Sequence, residues 1–350
     1  MEKNNTYIEY NLLTYLTDYM KKDADNFKTA ANVPTGYANL DKVTKLFPGL
    51  YVIGAITSLG KTTFIHQMCD QLAKQGRDIV YFSLEQSVIE MTSKSLARIM
   101  AQKNEENPNW GCPLTALEIR MNMDDERVIE ASKEYSQYAA NFTMLDCSFN
   151  MTIKDIEDYV NNYINTRKEK PIVVIDYLQI INLENKSNNS KDNIDTIVKR
   201  LKQLQKDHNL TLIVISSFNR QNYMTEIDYE SFKESGGIEY SADVLWGLQL
   251  EVLHDDIFNK TSNINEKREK VREAKKENPR KIELVCLKDR YGISSYTRNF
   301  LYYSANDLFV PNNKDDMKEE FFRSSINIPN RKGFINVPKN YTNDINSIFE

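Results

Sequence analysis

Residues 51–63 read YVIGAITSLGKTT, an apolar run that breaks at Gly60-Lys61-Thr62 and passes into a helical pattern. Parts in that order make a phosphate-binding loop. Backbone N–H groups between a strand and a helix converge on phosphate oxygens, and the helix N-terminus adds the positive end of its dipole. Gly60 lets the backbone pass close to the ligand, Lys61 reaches the β and γ phosphates as a point charge, and Thr62 offers its hydroxyl to Mg²⁺. The nucleotide contacts expected from this stretch are Ala55, Thr57, Ser58, Leu59, Gly60, Lys61, Thr62 and Thr63, with ATP and Mg²⁺ as the ligands. The pattern G-x-x-x-x-G-K-[ST] asks for glycine at position 55, where this chain has Ala55 preceded by Gly54.

Length and composition set the frame around that loop. A chain of 350 residues has room for one large α/β domain with extensions. Hydrophobic content of 41% and charged content of 27% are those of a soluble globular protein. No apolar run approaches the roughly 18 residues of a membrane span. The N-terminal MEKNNTYIEYNLLTYL is interrupted by Glu9, Asn11 and Thr14, so it lacks a signal peptide's apolar core, and a cytoplasmic location is expected. Cys69, Cys112, Cys147 and Cys286 show no C-x-x-C spacing, which fits reduced thiols, and with three histidines in the whole chain a His-based metal site is not expected. A net charge of −5 argues against a globally basic nucleic-acid binder while leaving local patches open.

Apolar residues from Tyr7 to Met20 recur near helical spacing and predict an amphipathic helix over 7–20, followed by a weakly patterned linker from Asp25 to Val33. Short β-rich runs near 50–54, 79–83, 142–146, 171–176 and 211–216 then alternate with helical patterns from 61, from 87, over 153–166 and over 191–207. This alternation predicts an α/β fold with a mostly parallel central sheet flanked by helices and ligands at the carboxyl ends of the strands. Strands at about 243–250, 281–288 and 296–302 predict an antiparallel extension. The chain thus divides into an N-terminal helix and linker over 1–33, an ATPase domain over 34–310, and a polar tail over 311–350 that is expected to be mobile.

Two carboxylates stand at strand ends. The run PIVVIDYLQII at 171–181 is a buried parallel strand closing on Asp176, the position where P-loop enzymes put the acidic partner of the metal. IVYFSLEQS at 79–87 carries Glu85 just past its strand, placed to activate a water on the γ-phosphate.

Taken in order, TGYANLDKVT, the P-loop, YFSLEQS, VVIDYLQII, ISSFNR, FKESGGIEYSADV and LKDRYG resemble the ATPase domain of DnaB-type replicative hexameric helicases over roughly residues 34–304. The resemblance implies a RecA-like fold, a homo-oligomeric, hexameric ring, ATP held between subunits, and single-stranded DNA in the pore. It also implies a primase or a loader as partners. Lys288-Asp289-Arg290-Tyr291-Gly292 is similar to the basic motif that reaches the neighbouring subunit's nucleotide, with Arg290 as arginine finger and Lys288 beside it. A guanidinium suits that task because its planar fork matches phosphoryl oxygens. The segment Lys233, Glu234, Ser235, Gly236, Gly237, with Arg220 from the ISSFNR block, resembles the loop that tracks DNA, and its glycines would admit close approach of phosphates. The helix at 7–20 resembles the linker helix that docks on an adjacent subunit.

Ser217 departs from the family, which has glutamine there to sense the γ-phosphate; a serine reaches it only through water. About 33 residues precede the motor, where the family has a further helical domain. The stretch 260–281 has nine basic residues against four glutamates and reads as a solvated helix. The leading expectation is an ATP-dependent DNA helicase motor. A RecA- or RadA-like recombinase, and a slow-turnover DNA-binding loader switched by ATP, remain open beside it.

Overall fold

The computed structural model describes residues 11–185, 187–219, 223–232, 236–255, 258–259, 263–292 and 295–312. Its centre is set by four apolar runs that cannot face water on either side. β1 (Gly49–Ala55), β4 (Ile172–Asp176) and β6 (Val244–Leu250) are buried along their whole length, and β5 (Thr211–Ser217) along all but its last residue. Strands of that kind belong inside a sheet with both faces covered. With β2 (Ile79–Ser83), β3 (Phe142–Asp146), β7 (Arg280–Asp289), β8 (Thr297–Tyr303) and β9 (Leu308–Pro311) they form one nine-stranded sheet among the described residues. The order is β3-β2-β4-β5-β1-β6-β7-β8-β9, parallel from β3 to β6 and antiparallel from β7 onward. The expected α/β fold with a mostly parallel sheet and an antiparallel extension is therefore present, and β1 lies near its middle.

Trp246 pairs with Cys286 while Leu245 pairs with Lys288, so Leu287 is an extra residue in β7, a bulge.

Among the described residues from Asn32 onward the α-helices are α1 (Lys61–Lys74), α2 (Val88–Glu106), α3 (Ala116–Met121), α4 (Glu126–Ser136), α5 (Ile153–Arg167), α6 (Ser190–His208), α7 (Gly236–Ser241) and α8 (Ile264–Lys276). Several starts are written locally: Ser87 with Glu90, Thr115 with Glu118 and Thr152 with Asp155 form reciprocal capping boxes on α2, α3 and α5. Helices α3 and α4 are absent from the sequence expectation. They join α2 in a small cluster of their own, in which Leu96, Ile99 and Met100 meet Ile119, Val128 and Ala131.

Helix α1 is the most constrained, since ten of its residues are buried. Thr63 Oγ1 donates to Asp307 Oδ1 at 2.9 Å, and Gln67 bonds both the N–H and the carbonyl of Phe309 at 2.8 Å. Asp70 pairs with Arg98 of α2 in the interior, and Arg98 Nε donates to Asp307 O at 3.0 Å. The turn between β8 and β9 thus fixes the helix that follows the phosphate loop.

Gly54 has a packing role. The rings of Phe218 and Phe232 meet edge to face at 4.9 Å directly over it, and a Cβ at Gly54 would lie 2.1 Å from Phe218 and 2.6 Å from Phe232. Ala55, next along, is an ordinary extended residue paired with Ser217 and Leu248, so nothing at position 55 calls for glycine.

Contacts divide the chain into a unit of Asn32–Asp315 and another containing Met1–Ala31. In the latter, helical segments Leu12–Thr14, Tyr15–Tyr19 and Met20–Ala30 follow one another, with Leu12, Leu16, Tyr19 and Met20 exposed. Residues 7–10 of the expected helix lie outside the described residues. Contrary to expectation, residues 25–30 continue the helix instead of forming a linker, because DADNFKTA holds neither glycine nor proline and Asp25 pairs with Lys28 one turn on. Of the expected tail, 313–350 lies outside the described residues. No described helix is long and apolar enough to cross a membrane.

Since overpacking of a filled site costs about 1–3 kcal/mol, Gly54→Ala is expected to lower the unfolding free energy by that amount. Urea titration followed by circular dichroism reads it, and an unchanged midpoint would mean that the two phenylalanines shift aside without cost.

Candidate nucleotide-binding site

Between Ala55 and Lys61 the chain turns through two left-handed residues, Ser58 at φ 67° and Gly60 at φ 83°. Gly60 is required twice over. Its conformation is one that side chains rarely adopt, and a Cβ there would meet Tyr302 at 2.9 Å and Phe309 at 3.0 Å. The outer side of the turn is gripped by cations. Arg280 Nη1 donates to Ser58 O at 2.9 Å, and Lys275 Nζ lies 3.5 Å from Thr57 O. In a trans peptide the N–H points opposite to the C=O, so drawing these carbonyls outward turns the following N–H groups inward, as a phosphate cradle needs. Tyr223 steadies the same corner through a 2.9 Å bond between its hydroxyl and that of Thr57.

Lys275 and Arg280 were not singled out by the sequence reading. They belong to the basic stretch 260–281, whose helix α8 forms as expected, and a charge pattern at helical spacing looks the same whether it faces water or a loop. Leu59 is buried, and the Thr63 hydroxyl is committed to Asp307, so both can serve a nucleotide only through their main chain.

Asp176 ends β4 and is 1% exposed. Tyr81 donates to its Oδ2 at 3.0 Å, while Oδ1 is buried with no hydrogen-bond partner. Burial raises this carboxyl above its usual range, and the opposing pulls of Thr62, Tyr81 and the Lys61 ammonium lower it again. An orphaned buried carboxylate oxygen beside the Thr62 hydroxyl and Lys61 is a donor set that fits Mg²⁺, which keeps most of its shell for water and phosphate. Glu85 stands next to this pair. Leu84 N donates to Asp176 O at 2.8 Å and Ser83 Oγ to Gln86 O at 2.5 Å, a turn that leaves Glu85 exposed.

Ser217 lies at the end of β5 against Ala55, so the structure brings it to the same strand ends. The amide of Gln179 clasps that end: Oε1 accepts from Ser217 N at 3.2 Å and Nε2 donates to Ser216 Oγ at 2.9 Å. From there Phe218 bridges to Phe232, and Asn219 N donates to Ser231 O at 2.9 Å. Arg220, Lys233, Glu234 and Ser235 lie outside the described residues. Gly236 opens α7. Gly237 is buried, gives its N–H to Asp195 Oδ1 at 2.9 Å, and has no space for a Cβ beside that carboxylate. The glycine at 237 is thus explained by packing on α6, and its N–H is already used.

The two basic residues of the LKDRYG block sit elsewhere. Lys288 Nζ donates to Glu239 O at 2.6 Å, and burial followed by the nearby Arg290 charge pushes its pKa down. Arg290 Nη1 donates to Asp243 Oδ1 at 3.0 Å, and its side chain remains 51% exposed. Asp243 in turn holds Leu50 N at 2.7 Å, at the beginning of β1. The phosphate loop leaves the opposite end of that strand. Leu50 to Ala55 is five steps of about 3.3 Å, or about 17 Å, which exceeds an arginine's reach. The structure thus brings Lys61, Thr62, Asp176, Glu85 and Ser217 together and keeps Lys288 and Arg290 apart from them.

The family description "DnaB-like helicase C terminal domain" matches residues 32–305. The replicative DNA helicase DnaB of Haemophilus influenzae is 26% identical over 247 residues, covering 68% of this chain and 49% of that protein. DnaB of Helicobacter pylori is 24% identical over 311 residues, covering 82% of this chain and 62% of that protein. The chain therefore spans between about half and three fifths of the length of these relatives. Among solved structures, an ATPase domain solved by itself superposes with a TM-score of 0.67 at 18% identity, covering 87% of this chain and 100% of that one. A DnaB-like replicative helicase, solved for its interactions with primase, gives 0.64 at 19% identity, covering 87% and 67%. The fold is that of RecA-like ATPase domains.

A Mg²⁺ held by Asp176 would need the ionised carboxylate, and burial raises that carboxyl, so protons would compete with the metal at a higher pH than for a surface aspartate. Mg²⁺-dependent binding of a fluorescent ATP analogue is expected to weaken as pH falls from about 7 to about 5 and to fail in Asp176→Asn throughout. A response to Mg²⁺ that is flat over that range and survives in Asp176→Asn would remove this residue from the metal site.

Proposed function

The chain belongs to the family of DnaB-like helicase C-terminal domains, and from that membership we propose that it is an ATP-driven DNA helicase motor. Its hydrolytic sites are shared between adjacent copies, in a hexameric ring around single-stranded DNA. One observation carries the reading: the phosphate loop and the Lys288–Arg290 pair stand at opposite ends of β1, so neither basic residue can serve its own chain's nucleotide. A head-to-tail contact that sets one copy's Arg290 against the next copy's loop uses both ends, and contacts of that kind close into rings.

Within such a site the amides from Ser58 to Thr62 and the Lys61 ammonium bind the phosphates, and Thr62 and Asp176 hold Mg²⁺. When bound, the metal would supply positive charge against that developing on the phosphates. Glu85, exposed beside Asp176, takes a proton from the attacking water. Arg290 of the next copy meets the charge on the departing γ-phosphoryl group. Ser217 and the Phe218–Phe232 pair carry the change at the strand ends toward the segment 233–237, which contacts DNA together with Arg220. Contacts to phosphate made locally and partly by main chain allow a chain of net charge −5 to hold DNA. The solved relative whose description names primase supports a primase partner here.

Arginine fingers contribute about 10³-fold or more to turnover, so Arg290→Ala is expected to abolish DNA-stimulated hydrolysis and strand displacement on a forked duplex. Lys61→Ala fails likewise. Mixed before assembly, the two variants recover activity at about one interface in four, where an intact loop meets an intact arginine. No recovery on mixing would refute the shared site, and strand pairing without displacement would favour a recombinase.

A further inference from the structure

The carboxylate of Asp243, between α7 and β6, is 2% exposed and receives donors from three directions. Its Oδ1 accepts from Arg290 Nη1 at 3.0 Å; its Oδ2 accepts from Leu50 N at 2.7 Å and from Lys202 Nζ of α6. The main chain repeats the connection. Asp243 N donates to Leu50 O at 2.8 Å, and Arg290 N donates to Asp243 O at 3.1 Å. One buried residue therefore joins the start of the strand that bears the phosphate loop, a helix on the face of the sheet, and the arginine that leaves its edge.

A guanidinium has several N–H donors in a rigid fork on a long, rotatable stem. Left to itself such a side chain samples many directions, and ordering it at the moment of reaction would slow the step. Here one corner of the fork is tied to a carboxylate that is itself fixed, while half of the side chain remains exposed. Lys202 supplies a second positive charge to the same carboxylate. Asp243 therefore orients the guanidinium without leaving a net negative charge beside it.

We propose that Asp243 is the positioning residue for the arginine that acts across the subunit boundary: it anchors Arg290 to the base of β1, so that the guanidinium leaves each copy in one direction. This inference rests on the shared-site reading above. Asp243 touches no nucleotide of its own chain, since it lies at the far end of β1 from the phosphate loop. Its effect must appear in the neighbour's site.

That displacement makes the test specific. Asp243→Asn keeps the size of the side chain and an oxygen for Leu50 N, but loses the charge that holds Arg290. Alone, the variant is expected to lose about tenfold or more in DNA-stimulated kcat, with KM for ATP within about twofold, as for a misplaced catalytic group. Mixed with Lys61→Ala before assembly it should regain activity, because its own loop is intact and Lys61→Ala supplies a well-held Arg290. Mixed with Arg290→Ala it should regain nothing, since both lack the same half of the site. If Lys61→Ala with Arg290→Ala recovers but Lys61→Ala with Asp243→Asn does not, the defect lies in the variant's own fold or loop and the inference is wrong. Wild-type kcat in Asp243→Asn overturns it too. If Lys61→Ala with Arg290→Ala also fails to recover, the shared site itself falls, and the positioning role falls with it.

Discussion

Phosphate oxygens are bound by N–H groups that must face one point, and a peptide plane faces that point only if its carbonyl is held away from it. The turn from Thr57 to Gly60 is built around this requirement. Two left-handed residues shape it, Arg280 and Lys275 hold its carbonyls from outside, and Tyr302 and Phe309 fill the space beneath Gly60. The antiparallel strands that follow the parallel sheet are therefore part of the candidate nucleotide site. They supply both the aromatic floor and, through Asp307, the anchor of α1.

Burial divides the charged residues by task. Asp176 and Asp243 both sit in the interior, one at each end of the central strands. Asp176 has an oxygen without a hydrogen-bond partner, which suits a metal ligand. Asp243 has its oxygens fully occupied, which suits a residue that holds other groups still. Glu85 and Arg290 stay exposed, as groups must that meet water or a second chain.

Much of this was legible in the sequence because the strands are apolar throughout and their neighbours are turn-forming. The parallel strands, the loop at 55–63, Asp176 and Glu85 follow from local pattern alone. What stayed hidden depends on residues that arrive from far along the chain. In the sequence Gly54 is only the neighbour of Ala55; its packing role appears once Phe218 and Phe232 rest on it. Gly237 reads as an opening for phosphate until Asp195 fills the space beside it. Lys275 and Arg280 were indistinguishable from solvated charges, and α3, at six residues, is too short to carry a periodic signal.

The extra residue in β7 decides more than local twist. Partners directly across an antiparallel pair share a face, and adjacent residues on β6 point to opposite ones. Cys286 across from Trp246 and Lys288 across from Leu245 must therefore project to opposite sides of the sheet, although their numbering would put them on the same side in a regular strand. Leu287 reverses the parity of the strand just before its basic end. Without that insertion the lysine at 288 would emerge on the side occupied by Cys286, and the ammonium would be aimed through the wrong wall of the molecule.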